Sequence, residues 1–383
     1  MGTRNPKAAI RHAPGTVAVQ LVDEVHSERG YGTMIELHNA ECLAFMRGME
    51  DNSVDAIVTD PPYFGVKDDD WDNQWKDAAH FIEWIGELSE QWQRILKPNG
   101  SLYCFASPQL RSRVEVKISE RFNCLPTITW VKNDGNVENS GGKWRQAEKE
   151  AMRSYFPRTE AIVFAEHFGA DNMPKGSEGY KYHEGKLHSD IMQPLKDYLN
   201  AERGELSIQD IDRLTGTSMA SHWFTHPTQW TIPTAHWYAK IQEVTGRFSR
   251  KYEELRQQYE ELRQQYEELR RPFNVTADVP YTDVWTFRTV GAYDGKHVCE
   301  KPIALMEHII LASTKPGAIV FDPFAGSGST GVACALNGRD FIGCEMDPHW
   351  HKYASRRIQK AASQPRLFDA PKDHGTQMTM DAP

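Results

Sequence analysis

None of the six cysteines, at positions 42, 104, 124, 299, 334 and 344, stands in a CxxC pair. A disulfide framework and a zinc knuckle are therefore excluded, and scattered thiols fit a reducing cytoplasm. No metal centre is expected. No run approaches the roughly 20 apolar residues that cross a bilayer, so no membrane partner is expected. The opening MGTRNPKAAIRH lacks the apolar stretch of a secretory signal. Positive charge is also short: 44 Lys and Arg against 53 Asp and Glu leave −9. That excludes a uniformly basic nucleic-acid binder but leaves room for a local groove. Between Arg94 and Glu160 there are 12 Lys/Arg and 7 Asp/Glu, and acid gathers elsewhere, as in Asp68-Asp69-Asp70-Trp71-Asp72.

What is present is a soluble composition, 39% hydrophobic and 25% charged over 383 residues. Met34-Ile35-Glu36-Leu37 alternates like a strand, and Cys42 to Met46 begins a helix. Val54-Asp55-Ala56-Ile57-Val58 reads as a strand buried on both faces. Phe81 to Leu96 has helical periodicity, stopped by Leu96-Lys97-Pro98-Asn99-Gly100, and Ser101 to Phe105 is the next strand. A second block follows the same plan. Ala318 to Asp322 is a strand, Pro323 to Thr330 a Gly-rich loop and Gly331 to Leu336 a helix. Asp340 to Glu345 is a strand and His349 to Lys360 a helix. Strands alternating with helices predict an α/β fold.

The middle is helical. Ser207 with Asp210 three residues on marks a helix start. Gly216 breaks that helix, and a second begins at Thr217-Ser218. This is a helix-turn-helix pattern that would present Ser218, Ser221 and His222 to DNA; the alternative is a helical insertion without DNA contact. Tyr252-Glu-Glu-Leu255-Arg-Gln-Gln then recurs at Tyr259/Leu262 and Tyr266/Leu269. Tyr and Leu make a seam of period seven, either a strut on its own chain or a homodimer contact.

Two loops carry the chemistry. Phe321-Asp322-Pro323-Phe324-Ala325-Gly326-Ser327-Gly328-Ser329-Thr330-Gly331 contains G-x-G-x-x-G between a strand and a helix, with Glu345 further on. Close backbone approach plus an acid for a ribose diol suits any adenosine-bearing cofactor, dinucleotide or S-adenosylmethionine alike. The acid and proline before the first glycine favour a cofactor with positive charge. The other loop, Ile57-Val58-Thr59-Asp60-Pro61-Pro62-Tyr63-Phe64-Gly65, ends a strand on a carboxylate and stiffens its exit with two prolines. An exocyclic amine on a flat base fits it. The Asp60 carboxylate and the Pro61 carbonyl, held extended by Pro62, would accept the amine's two hydrogens. Tyr63 would stack on the base with help from Phe64, offsetting part of the few kcal/mol that extruding a base costs.

The sequence resembles the beta-group DNA amino-methyltransferases: Asp60-Pro61-Pro62-Tyr63 first, a helical insert, then Phe324-Ala325-Gly326-Ser327-Gly328. Glu300-Lys301-Pro302 after His297, Tyr281 to Trp285, Leu96 to Gly100 and Trp130-Val131-Lys132 are also similar to that family. The insert with Ser221-His222-Trp223-Phe224 looks most like phage- and prophage-borne N6-adenine enzymes. The resemblance implies a Rossmann-like class I methyltransferase fold with a mixed seven-stranded sheet and helices on both faces. It implies S-adenosylmethionine as cofactor and DNA, double-stranded, as partner.

On that basis Asp322, Phe324, Gly326, Ser327, Gly328, Glu345, Lys301, Glu41 and Asp60 would serve the cofactor; Glu41 stands where the family often has Asp. Phe64, Lys132, Lys143 and Arg145 join Ser218, Ser221 and His222 as DNA-contact candidates. Residues 1–31 read as a flexible arm, 32–169 as the catalytic half and 170–250 as the target-recognition insert. Residues 251–272 are the heptad helix, 273–362 the cofactor half and 363–383 a disordered tail. In that tail Gln364, Leu367 and Phe368 match a short sliding-clamp peptide, a likeness that chance also explains. Asp-Pro-Pro-Tyr goes more often with adenine than with N4-cytosine. The rivals are an N4-cytosine enzyme, a protein-glutamine methyltransferase, a helix-turn-helix regulator and a dinucleotide oxidoreductase.

Overall fold

The two motif-bearing strands, far apart in sequence, lie side by side in one sheet. The computed structural model describes residues 18–20, 33–65, 74–132, 153, 158–167, 180–226, 229–274 and 282–363. Lys143, Arg145, Tyr281, the acidic 68–72 run and the 364–383 tail with its clamp-like peptide lie outside these. The chain divides into two compact units, Met1–Ala165 with Phe273–Pro383, and Glu166–Pro272.

The first unit holds strands β1 (Ala18–Gln20), β2 (Ile35–His38), β3 (Val54–Thr59), β4 (Leu96–Ala106), β5 (Asn123–Cys124) and β6 (Ile128–Lys132), then β7 (Thr159–Glu166), β8 (Val284–Phe287), β9 (Ile319–Asp322) and β10 (Asp340–Cys344). Their order is β1-β2-β10-β9-β3-β4-β7-β6-β8, with β5 beside β7. The central run from β2 to β6 contains the seven expected strands. β1 and β8 extend its edges, so the stretch read as a flexible arm supplies an edge strand, paired antiparallel to β2. β2, β10, β9, β3 and β4 run parallel, while β6 and β7 are antiparallel. The sheet is therefore mixed.

Strand alternation builds two cores. Ala56, Val58, Tyr103, Phe105, Ile162, Phe164, Val320 and Phe341 face one side and meet α9 (Ile303–Ser313), α10 (Ser329–Asn337) and α11 (Pro348–Ala362). Ile57, Leu102, Cys104, Val163, Phe321 and Ile342 face the other and meet α1 (Cys42–Arg47), α2 (Ala78–Ile95) and α3 (Arg111–Ile118). α2 forms because Phe81, Ile85, Leu88, Trp92 and Ile95 recur on one stripe, and Asp77 caps it through the His80 N–H at 2.8 Å. The Leu96 to Gly100 stretch ends this helix, as its sequence indicates. It is the irregular start of β4, with a register shift against β3. A Cβ on Gly100 would sit 2.9 Å from the Asp55 carbonyl oxygen, so only glycine lets the two strands approach.

The second unit packs α4 (Tyr180–Arg203), α5 (Ile208–Thr215), α6 (Ala220–Phe224), α7 (Ala235–Thr245) and α8 (Tyr252–Leu269) around Leu195, Leu199, Ile211, Trp223, Tyr238 and Leu255. The predicted capping box is present: Ser207 accepts from the Asp210 N–H at 3.1 Å and Asp210 accepts from the Ser207 N–H at 3.1 Å. Gly216 ends α5 in the left-handed region at φ 74°. Asp212 organises the turn, taking the Gly216 N–H on its carbonyl at 2.7 Å and the Ala220 N–H on Oδ1 at 3.0 Å. The heptad seam is a strut. Tyr252, Leu255, Tyr259 and Leu262 pack into the unit's own core, while Leu269 in the third heptad is exposed.

Candidate active site

β2, β10, β9 and β3 are parallel neighbours, so the loops leaving them share one sheet edge, where α/β folds place ligands. Glu41 follows β2, Glu345 follows β10, the glycine loop follows β9 and Asp60 follows β3. Asp55 fastens the two halves near the opposite end. Its Oδ2 accepts the Ile319 N–H at 2.8 Å across 264 residues of sequence.

Asp60 is held on both oxygens. The Tyr63 hydroxyl donates to Oδ1 at 2.8 Å, and the Lys301 ammonium bonds Oδ2 across 241 residues. Lys301 also lies 3.5 Å from Glu160 Oε2 and 4.9 Å from the centroid of Phe105. Burial pushes the Asp60 carboxyl up, with Lys301 opposing and Glu160 adding to it. Burial alone would pull Lys301 down, but Asp60 and Glu160 together push it up, so it carries its charge. Lys301 was placed with the cofactor by resemblance. Its ammonium instead serves the Asp60 loop, and its main-chain carbonyl reaches α10, accepting from Ser329 Oγ at 2.9 Å. One residue thus ties the two motif loops together.

The glycine loop is built by its acids. Asp322 accepts the Phe324 N–H at 3.0 Å and the Thr330 hydroxyl at 2.6 Å. Burial drives its carboxyl up to about 7, against those two hydrogen bonds. Glu345 takes the Gly326 N–H at 2.8 Å and the Asp347 N–H at 2.9 Å, and burial raises it too. Each carboxylate has about four acceptor sites, so Glu345 retains capacity for ligand hydroxyls. Gly326 and Gly328 are left-handed, at φ 49° and 78°. Phe324 meets Trp84 edge-on at 5.6 Å, and Ser327 is buried beside Ser329 at 3.1 Å.

A Cβ at Gly328 would stand 2.9 Å from the Ala354 Cβ. Gly328→Ala therefore combines a clash with left-handed strain. It should cost about 1–3 kcal/mol and lower the melting temperature in a thermal scan, with weaker cofactor binding alongside.

Other expected residues are engaged locally. Glu41 caps α1, accepting from Leu43 N–H at 2.9 Å and Ala44 N–H at 2.7 Å. Phe64 packs on Phe81 with ring centroids 6.2 Å apart. Lys132 pairs with Glu160 Oε1 at 2.5 Å. In the second unit Ser218 is exposed, while Ser221 and His222 are half-buried. His222 stacks on His226 at 4.7 Å. The second helix of the helix-turn-helix runs only from Ala220 to Phe224.

Sequence reasoning missed Glu160 and Arg357. Arg357 donates to the Ser327 carbonyl at 3.0 Å and pairs with Glu300 at 2.6 Å, bracing the glycine loop from α11. Arg357 is one of several basic residues along this helix, with Lys352, Arg356 and Lys360, and nothing in the pattern singles it out. Glu160 did leave one: it shares a strand face with the buried Ile162 and Phe164, and an acid in an apolar row demands a partner.

Residues 54–356 match the N6/N4 methyltransferase family described as DNA methylase. The chain is similar to the DNA adenine methyltransferase YhdJ of Escherichia coli (strain K12), with 26% identity over 330 residues, 85% of this chain and 82% of that protein. It is similar to the type II methyltransferase M2.LlaDCHI of Lactococcus lactis subsp. cremoris, with 33% identity over 346 residues, 85% of this chain and 90% of that one. Among solved structures, the M1.HpyAVI–SAM complex aligns with 85% of this chain and 100% of its own at 21% identity and a TM-score of 0.43. With the family's features matched across both motif loops and most of the sequence between and around them, the chain belongs to the N6/N4 DNA methylase family.

Proposed function

We propose that this protein transfers a methyl group from S-adenosylmethionine to the N6 amine of adenine in duplex DNA. One observation carries the reading: Asp60 and the glycine loop stand at one sheet edge, joined through Lys301. Family membership supports DNA as substrate, and the similarity to YhdJ, a DNA adenine methyltransferase, favours adenine.

The residues fit the cofactor. Two left-handed glycines expose backbone, Glu345 offers acceptors for a ribose diol, and Phe324 lies beside them. Asp322 and Glu345 bring carboxyl groups to the glycine loop, which suits a cofactor with a sulfonium and an ammonium. When bound, S-adenosylmethionine supplies an electrophilic methyl group. Gly326, Ser327, Gly328 and Glu345 would hold it, with Asp322 shaping the loop and Arg357 bracing it.

The Asp60 carboxylate and the Pro61 carbonyl would accept the two amine hydrogens, drawing the nitrogen out of conjugation so that its lone pair is available. Pro62 keeps Pro61 extended for this. The carboxylate's remaining acceptor sites leave room for the amine beside Tyr63 and Lys301. Tyr63, pinned through its hydroxyl, would present its ring to the flipped base, a stacking contact of about 1–3 kcal/mol. The rate gain comes mainly from alignment. Ser218, Ser221 and His222 on the second unit would contact the duplex.

The family covers N4-cytosine chemistry as well, and the amine geometry is common to both. Nucleoside mass spectrometry of duplex DNA treated with the protein and the cofactor separates them. N6-methyladenine is expected; N4-methylcytosine alone would reassign the base, and no methylated nucleoside would overturn the reading.

A further inference from the structure

Four side chains of alternating charge run through the first unit from the sheet to the Asp60 loop. Lys132 pairs with Glu160 Oε1 at 2.5 Å, Glu160 Oε2 lies 3.5 Å from the Lys301 ammonium, and that ammonium bonds Asp60 Oδ2. The side chains of Glu160, Lys301 and Asp60 are 11%, 8% and 18% exposed. Withdrawing these charges from water is costly. A Lys301–Asp60 pair alone would fasten the two loops, and the β7 row that Glu160 opens continues with apolar Ile162 and Phe164. Neither the loop contact nor the sheet needs a carboxylate at position 160, so its effect is sought at the other end of the row.

We propose that Glu160 is a positioning residue for methyl transfer: it divides the Lys301 ammonium between two carboxylates, leaving Asp60 a stronger acceptor for the substrate amine. The inference rests on the proposed function. An ammonium given wholly to Asp60 would draw that carboxylate's electron density onto itself. With Glu160 on the far side and Lys132 steadying Glu160, Lys301 aims Asp60 without disarming it.

The charged and titratable groups facing Asp60 come from every surrounding element. Tyr63 is on its own loop, Lys301 precedes α9, Glu160 is on β7, Cys104 on β4 and Asp322 on β9. Cys299 stands near Lys301 and Tyr63. Burial keeps the Tyr63 phenol and the Cys104 thiol protonated. Glu160 raises the pH at which Asp60 gives up its proton, and Lys301 lowers it. Removing the Glu160 charge must therefore move the Asp60 titration down.

The test compares wild type, Glu160→Gln and Glu160→Asp. Single-turnover methyl transfer is followed from pH 5 to 9 and normalised to active sites, and cofactor affinity is measured by calorimetry. The Asp60 carboxyl is titrated by carbon NMR in the protein alone, its signal identified with Asp60→Asn. Glu160→Gln is expected to lose about ten- to a hundredfold in rate per site, less than the roughly 10²–10³ lost with a group that touches the reacting atoms directly. Its cofactor affinity should stay within about threefold, since the glycine loop is untouched. The Asp60 midpoint should fall, and Glu160→Asp should recover part of the rate. A rate per site within twofold of wild type, or an unmoved Asp60 midpoint, overturns the proposal, because a purely structural Glu160 would alter only the number of active molecules. Absence of methyl transfer by wild type would instead overturn the function on which it rests.

Discussion

Asp60→Asn is expected to abolish methyl transfer while the cofactor still binds. The amide keeps the shape of the carboxylate but loses its charge and half its acceptors, and it turns an N–H₂ toward either the Lys301 ammonium or the incoming amine. Removing one such preorganised group costs about 10²–10³ in rate where chemistry is limiting, and loss of the charge beside a developing cation adds to that. The glycine loop is built by Asp322 and Glu345 and not by Asp60, so cofactor affinity should remain within about threefold. Single-turnover transfer and calorimetry on the same preparation give both numbers. Loss of affinity in step with activity would make Asp60 a cofactor ligand instead.

Lys301→Met carries the second large effect. It leaves Asp60 and Glu160 buried near one another with no cation between them. Breaking a buried pair by removing one partner costs about 3–5 kcal/mol, so the melting temperature should fall by several degrees. Activity should fall with it, for a reason that pH exposes. Burial and Glu160 both raise the Asp60 carboxyl, and Lys301 is what lowers it. Without the lysine, Asp60 stays protonated to higher pH and cannot accept the amine's hydrogens. The acid limb of the rate profile should therefore move up, opposite to the shift expected for Glu160→Gln. An unchanged melting temperature with a rate within twofold of wild type would show that the pair neither stabilises nor positions.

The parts of the molecule legible in the sequence are those whose causes are local. β3 and β9 announce themselves as short apolar runs, and the loops after them are marked by prolines and glycines with few other uses. The capping box at Ser207 and the turn at Gly216 were readable for the same reason. What was hidden depends on pairing between distant segments. Glu160 and Lys132 become a charge row only once β6 and β7 are antiparallel and their shared face meets the approach to α9. Lys301 was found, but its target was not: its partners depend on β3 and β9 lying side by side, with the α9 approach crossing above them. The heptads left two destinations open, a strut and a dimer contact, and the packing of Leu255 and Tyr259 on the second unit's own core supplies the strut. Likewise the pattern placed a second helix after Gly216 running through Phe224, but did not show that its first turn would be lost and the helix begin at Ala220.

The claim on which the rest depends is that the Asp60 carboxylate grips the exocyclic amine of adenine. Single-molecule sequencing of genomic DNA from cells expressing either the wild-type chain or Asp60→Asn tests it most directly. N6-methyladenine is predicted throughout a recurring sequence context in the first and at background in the second. Equal methylation in both, with the variant expressed at the same level, would contradict it.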